Sequence, residues 1–215
     1  MPTAPPRLFP ELGFVDTLAN FGINHNSAIV RADEPVKIKR LPAVVPAHPI
    51  AGKEKAGVDQ AEASLYQNRP LILTPLGVNS PAQIKRATAL WQALGSRVHL
   101  MDPNAHDQAF AAVSHLPHLL AFAYLLGLMD QADHLEWMDR AGPGFRDFSR
   151  IAASDPVIWR DILLANAEHV LTQSQHFSAA LDTLSQAIRS GDAQALQSLI
   201  QRASEQRAQW HPEGF

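Results

Sequence analysis

The chain has 215 residues, 46% of them hydrophobic, with a formal net charge of -3 and no cysteine. That is enough for one large or two small domains with a real core, and it excludes disulfides, thiolate metal sites and the basic surface that nucleic acid requires. The opening Met1-Pro2-Thr3-Ala4-Pro5-Pro6 is no signal peptide, and Leu116 to Met129, broken by Pro117 and His118, is short for a bilayer. A cytoplasmic protein with no nucleic-acid or membrane partner is expected.

Residues 1–42 read as an atypical, proline-rich leader, with a short helix over 14–21 and a short strand over 36–38. Ala43-Val44-Val45 then suits a buried strand that Pro46 ends. His48 follows, ahead of a loop of Pro49, Gly52, Lys53, Glu54, Lys55 and Gly57. Active sites of α/β folds gather past the carboxyl ends of strands, and an imidazole there suits proton transfer near neutral pH. An isolated His-Pro, by contrast, is more often a plain turn. Leu71-Ile72-Leu73 is a buried strand closed by Pro75, and Ser80-Pro81 opens a helix that Gly95 stops. Arg97 to Met101 alternates as a strand, so residues 43–102 form a partial α/β unit of nucleotide-binding type.

From 103 to 215 the pattern is all helical. One helix is expected over Asn104 to Asp130, kinked at Pro117, and a short one over Phe145 to Ala153. A long amphipathic helix runs from Pro156 to Ser190, and a last one from Ala193 to Trp210. So long a helix on so small a chain invites a second copy, giving a homodimer through this half; a monomeric bundle is the alternative.

Three clusters carry chemistry. Ser114, His115 and His118 share a helix face, so two imidazoles and a hydroxyl can converge on one pocket. No matching carboxylate motif follows, so no metal is expected. Gly142-Pro143-Gly144 lets backbone approach a ligand before Arg146 and Arg150, which lie one turn apart as forks for carboxylates. The competing reading is a solvated face on which Arg146 pairs with Asp147. Trp159 either walls an aromatic pocket or sits in the core. There is no G-x-G-x-x-G, no Walker A sequence and no G-x-S-x-G.

Taken together, these motifs resemble the prephenate/arogenate dehydrogenase family of tyrosine biosynthesis. The matches are His48-Pro-Ile-Ala-Gly52, Glu54-Lys55-x-Gly57, Leu73-Thr-Pro75 and Ser114-His-Leu-Pro-His118, followed by Gly144-Phe-Arg-Asp-Phe-Ser-Arg-Ile-Ala-Ala-Ser-Asp-Pro156 and Trp159-Arg-Asp-Ile-x-x-x-Asn166. The resemblance implies an α/β remnant of a Rossmann-type domain followed by an all-α dimerisation domain, mainly helical overall. It implies an oxidoreductase that uses NAD or NADP to oxidise and decarboxylate prephenate to 4-hydroxyphenylpyruvate, or acts on arogenate, with tyrosine as a feedback ligand. By resemblance His48 takes the ring hydroxyl proton, and Arg150 holds a carboxylate. His115, His118, Ser114, Arg146 and Trp159 line the substrate pocket. Glu54 is the gating or ion-pairing acid, with Asp147 as a further ion-pair member.

Only 47 residues precede His48, whereas the family carries its dinucleotide glycines about a hundred residues upstream. Ser27 does not reproduce the family's upstream serine motif. The expectation is therefore a truncated, carboxyl-terminal portion of a dehydrogenase that cannot bind NAD productively unaided. The alternative is a non-catalytic dimeric helical module that binds an aromatic acid, tyrosine or prephenate. A zinc hydrolase built on His115 and His118 is a third reading, which metal analysis would decide.

Overall fold

The computed structural model describes residues 44–51 and 62–211. Glu54 and its loop, the expected helix over 14–21 and the expected strand over 36–38 lie outside the described residues.

A small sheet comes first: β1 (Ala47–Pro49), β2 (Pro70–Leu73) and β3 (Arg97–Leu100), in that order. β2 is central and covered on both faces, which is why it is a continuous apolar run; Leu71 and Leu73 are fully buried. It pairs in parallel with β3 across α1 (Pro81–Ala93), a helix opened by Ser80 in a capping box with Gln83.

β1 corrects the expected strand at 43–45. The strand lies four residues further on and contains His48, paired antiparallel opposite Ile72. The prolines mislead here because each lacks only a donor. Pro46 still accepts from the Thr74 N–H at 3.0 Å, and Ile50 donates to Pro70 at 2.9 Å. Those flanking bonds leave Pro49 at a non-hydrogen-bonded position opposite Leu71, where its missing N–H costs the ladder nothing. His48 is therefore a strand residue, held by the sheet rather than by a loop.

The rest is helical. α2 (Pro103–Phe110), capped by Asp102, passes through a π turn at Ala111–His115 into α3 (Leu116–Met129). The expected kink at Pro117 takes this form: the Leu116 N–H reaches back five residues to Ala111 just before the proline. Pro103–Met129 is thus one 27-residue helix, long and apolar enough by length and composition to cross a membrane, which the 116–129 stretch alone is not. Three of its histidines find partners on other elements of the chain, as described below.

A short helix, α4 (His134–Asp139), carries too little periodicity to be read from sequence. α5 (Pro143–Ser149) continues as a 3-10 turn, Arg150–Ala153, and both pack on α3. The helix expected over 156–190 is two: α6 (Pro156–Ala165) and α7 (Ala167–Ser190), broken at Asn166, whose backbone leaves helical geometry at φ -109° and ψ 29°. Asparagine amides compete with helical backbone for partners, and this one finds two across the fold. Gly191, at φ +66°, ends α7 in a left-handed turn before α8 (Ala193–Gln209).

Candidate active site

The site is built where β1 meets the long helix. His106 and Phe110, one turn apart on α2, both meet the His48 ring. His48 Nδ1 lies 2.9 Å from His106 Nε2, and His106 Nδ1 lies 2.9 Å from Asp107 Oδ1. Phe110 packs on both rings with centroids 4.5 Å away, stacked on His106 and tilted on His48. His48, His106 and Asp107 thus form a hydrogen-bonded line that ends in a carboxylate.

A second group follows on the same helix. His115 is buried and its Nδ1 lies 3.1 Å from the Asn166 side-chain nitrogen, which also donates to the Asp107 carbonyl at 2.8 Å. His118 stacks on the Trp159 indole at 3.5 Å between centroids, and its Nδ1–H donates to the Ser114 carbonyl at 2.9 Å. Ser114 therefore enters through its backbone, and Trp159, itself buried, orients a histidine.

The π turn brings the two groups together. At about 100° per residue, His106 and His118 would sit about 120° apart on a straight helix; one inserted residue reduces that to about 20°. The same insertion brings His115 from about 180° away from His106 to about 80°.

Desolvation is the main cause that lowers the His115 imidazole from 6.5 to about 4; Asp107 opposes the shift, while His106 and His118 add to it. The unfolded chain therefore binds a proton that the folded chain refuses between those values. Stability is full above about pH 6.5 and falls as the pH drops towards about 4, by roughly 3 kcal/mol in total. Thermal unfolding at about pH 7.5 and about pH 5 should show this loss, and His115→Gln should lessen it. Equal losses in both proteins would contradict the assignment.

The arginines belong to α5 and the 3-10 turn after it. Arg146 pairs with Asp147 at 3.0 Å on an exposed face, the competing reading of that motif, and such a pair is worth little. Arg150 opens the 3-10 turn that packs on α3, the helix of His118, and is exposed. Glu54 lies outside the described residues. Among the described residues no group of three His, Asp or Glu could hold a metal ion.

Sequence reasoning missed His106, Asp107 and Phe110 as site residues and quoted Asn166 only as part of a motif. The available signal was Asp102-Pro103, which starts a helix right after β3 and puts His106, Asp107 and Phe110 in its first turns.

An imidazole line that ends in a carboxylate, at the junction of a small α/β sheet and a helical bundle, has the chemistry to accept a proton. The chain matches two family models, "Prephenate dehydrogenase, nucleotide-binding domain" over residues 28–100 and "Prephenate dehydrogenase, dimerization domain" over residues 102–202. It is 40% identical to the cyclohexadienyl dehydrogenase of Zymomonas mobilis over 157 residues, 71% of this chain and 53% of that one. With the prephenate dehydrogenase of Bacillus subtilis it shares 30% identity over 210 residues, 91% of this chain and 56% of that one. The crystal structure of prephenate dehydrogenase from Aquifex aeolicus in complex with hydroxyphenyl propionate and NAD+ superposes with a TM-score of 0.72 at 36% identity, covering 76% of this chain and 58% of that one. The chain belongs to the prephenate dehydrogenase family. It spans a little over half the length of the curated relatives it matches. The match to the nucleotide-binding part begins at residue 28, inside the segment read from sequence as a leader.

The family implies a dinucleotide, whose pyrophosphate needs free N–H groups at a helix start after a strand. Two described helices follow strands, and neither offers them. The first turn of α1 is closed by Ser80, Gln83 and Pro81, and that of α2 by the Asp102 carboxylate, 3.0 Å from the Ala105 nitrogen. An anion already occupies the second position. The described residues therefore do not fit the pyrophosphate.

Proposed function

We propose that this chain serves an NAD- or NADP-dependent oxidative decarboxylation of a cyclohexadienyl acid, prephenate to 4-hydroxyphenylpyruvate, in tyrosine biosynthesis. The observation that carries this reading is the His48–His106–Asp107 line at the sheet–helix junction. His48 takes the proton of the ring hydroxyl as the carbonyl develops. Arg150 holds a substrate carboxylate, and His118, stacked on Trp159 and anchored through Nδ1 to the Ser114 carbonyl, faces the same ligand. Glu54 is assigned the entrance. Hydroxyphenyl propionate, bound by the Aquifex aeolicus enzyme, has the ring, hydroxyl and carboxylate that this division of labour requires.

Arogenate keeps the same ring chemistry with an amino group in place of the keto group, and tyrosine keeps the ring hydroxyl and carboxylate. Arogenate is the alternative substrate and tyrosine the competing ligand. The α7 residues Phe177, Leu181 and Ile188 share a helix face and are exposed, an apolar stripe suited to a second copy of the chain.

The test is reduced-cofactor absorbance on mixing the protein with prephenate or arogenate and NAD or NADP. Prephenate-dependent reduction is expected. The capped helix starts favour a second reading, a dimeric module that binds an aromatic acid without turnover, and binding without reduction would decide for it. Arg150→Gln should raise KM about 10- to 100-fold with a smaller change in kcat, the loss of a charge-assisted pair. An unchanged KM would remove Arg150 from the site.

A further inference from the structure

We propose that His106 and Asp107 are positioning residues that set the tautomer of His48 and so decide which of its ring nitrogens takes the substrate proton. This inference rests on the reading of His48 as proton acceptor. A carboxylate only accepts, so the 2.9 Å contact between Asp107 Oδ1 and His106 Nδ1 places a proton on that nitrogen. Neutral His106 then presents a lone pair at Nε2, and the 2.9 Å contact with His48 Nδ1 is donated by His48. His48 is held as the Nδ1–H form, with its lone pair at Nε2.

The packing keeps this order. Phe110 lies against both rings at 4.5 Å, and His106 is buried at 6% exposure. The Asp107 backbone is tied by Asn166 at 2.8 Å, so the carboxylate that ends the line has a fixed origin. In the proton step the substrate O–H bond breaks and a proton bonds to His48 Nε2, leaving His48 a cation. Its Nδ1–H already points at His106 Nε2, so the positive charge is drawn along the line towards Asp107. The arrangement orients the base and stabilises its cation, as a buried carboxylate does for a catalytic histidine elsewhere.

The test reads the tautomer directly, by long-range proton–nitrogen correlation spectra of protein labelled with 15N-histidine, without substrate or cofactor. His48→Asn assigns the His48 signals. The expected result is His48 as Nδ1–H in the wild type and as Nε2–H in Asp107→Asn, where the amide can donate to His106 and reverse the line. Turnover in that variant should fall about 100-fold or more with KM little changed. A wild-type His48 in the Nε2–H form overturns the proposal, as does an Asp107→Asn spectrum that keeps Nδ1–H. The wild-type spectrum decides alone if the variant does not fold. An Nδ1–H form in a protein without turnover would sink the functional reading, overturn the proton-acceptor part of this inference and leave only the tautomer control by His106 and Asp107.

Discussion

Replacing His48 with asparagine should lower kcat for prephenate oxidation by about 100- to 10,000-fold, the range of a lost general base. Asparagine keeps a polar group of similar reach on β1, so it can still hydrogen-bond the substrate hydroxyl but cannot carry its proton. KM should therefore change little. The fold should survive, because the β1–β2 ladder is backbone bonding on either side of a half-buried residue. Steady-state kinetics on the two proteins check this. A variant that keeps more than about a tenth of wild-type kcat would mean that another group takes the proton, and the line from His48 to Asp107 would be structural only.

Asn166→Leu is the second large effect, and it falls on stability. Asn166 is 3% exposed, and its amide satisfies two buried acceptors, the Asp107 carbonyl at 2.8 Å and His115 Nδ1 at 3.1 Å. Leucine is close in size but donates nothing. His115 Nδ1 is left without that donor, at a cost of about 1–3 kcal/mol. The Asp107 carbonyl keeps its helical bond from Ala111 and loses only a second one, worth about 1 kcal/mol. A loss of about 2–4 kcal/mol is therefore expected in urea unfolding with little change in m-value. The better helix propensity of leucine returns only a few tenths of a kcal/mol at this helix break. A loss below about 1 kcal/mol would show that these bonds do not hold α6, α7 and α2 together. Because Asp107 hangs from Asn166, the same change should also lower turnover.

Much of this was legible in the sequence, and the exceptions have physical causes. Ser80-Pro81 and Asp102-Pro103 mark helix starts through local chemistry alone, and the structure begins helices there. β2 reads as buried because its run is apolar without alternation. The sequence places β1 four residues early because a proline reads as a stop, although at an edge position it costs no bond. The histidine cluster was only half legible. A straight helical wheel puts Ser114, His115 and His118 together, but leaves His106 on another face. Only the π turn before Pro117 turns it towards them, and that turn is a tertiary compromise with no short motif. Asn166 was hidden for a similar reason: its flanks are good helix formers, and its partners on α2 and the π turn lie 59 and 51 residues away in sequence.

Calorimetric titration with prephenate tests the central claim most directly, since it asks whether this chain holds the substrate side of the site. The account predicts saturable binding of about one prephenate per chain, weakened about 10-fold or more in Arg150→Gln and competed by tyrosine. Folded protein that takes up no prephenate, or binds it equally well after Arg150→Gln, would contradict it.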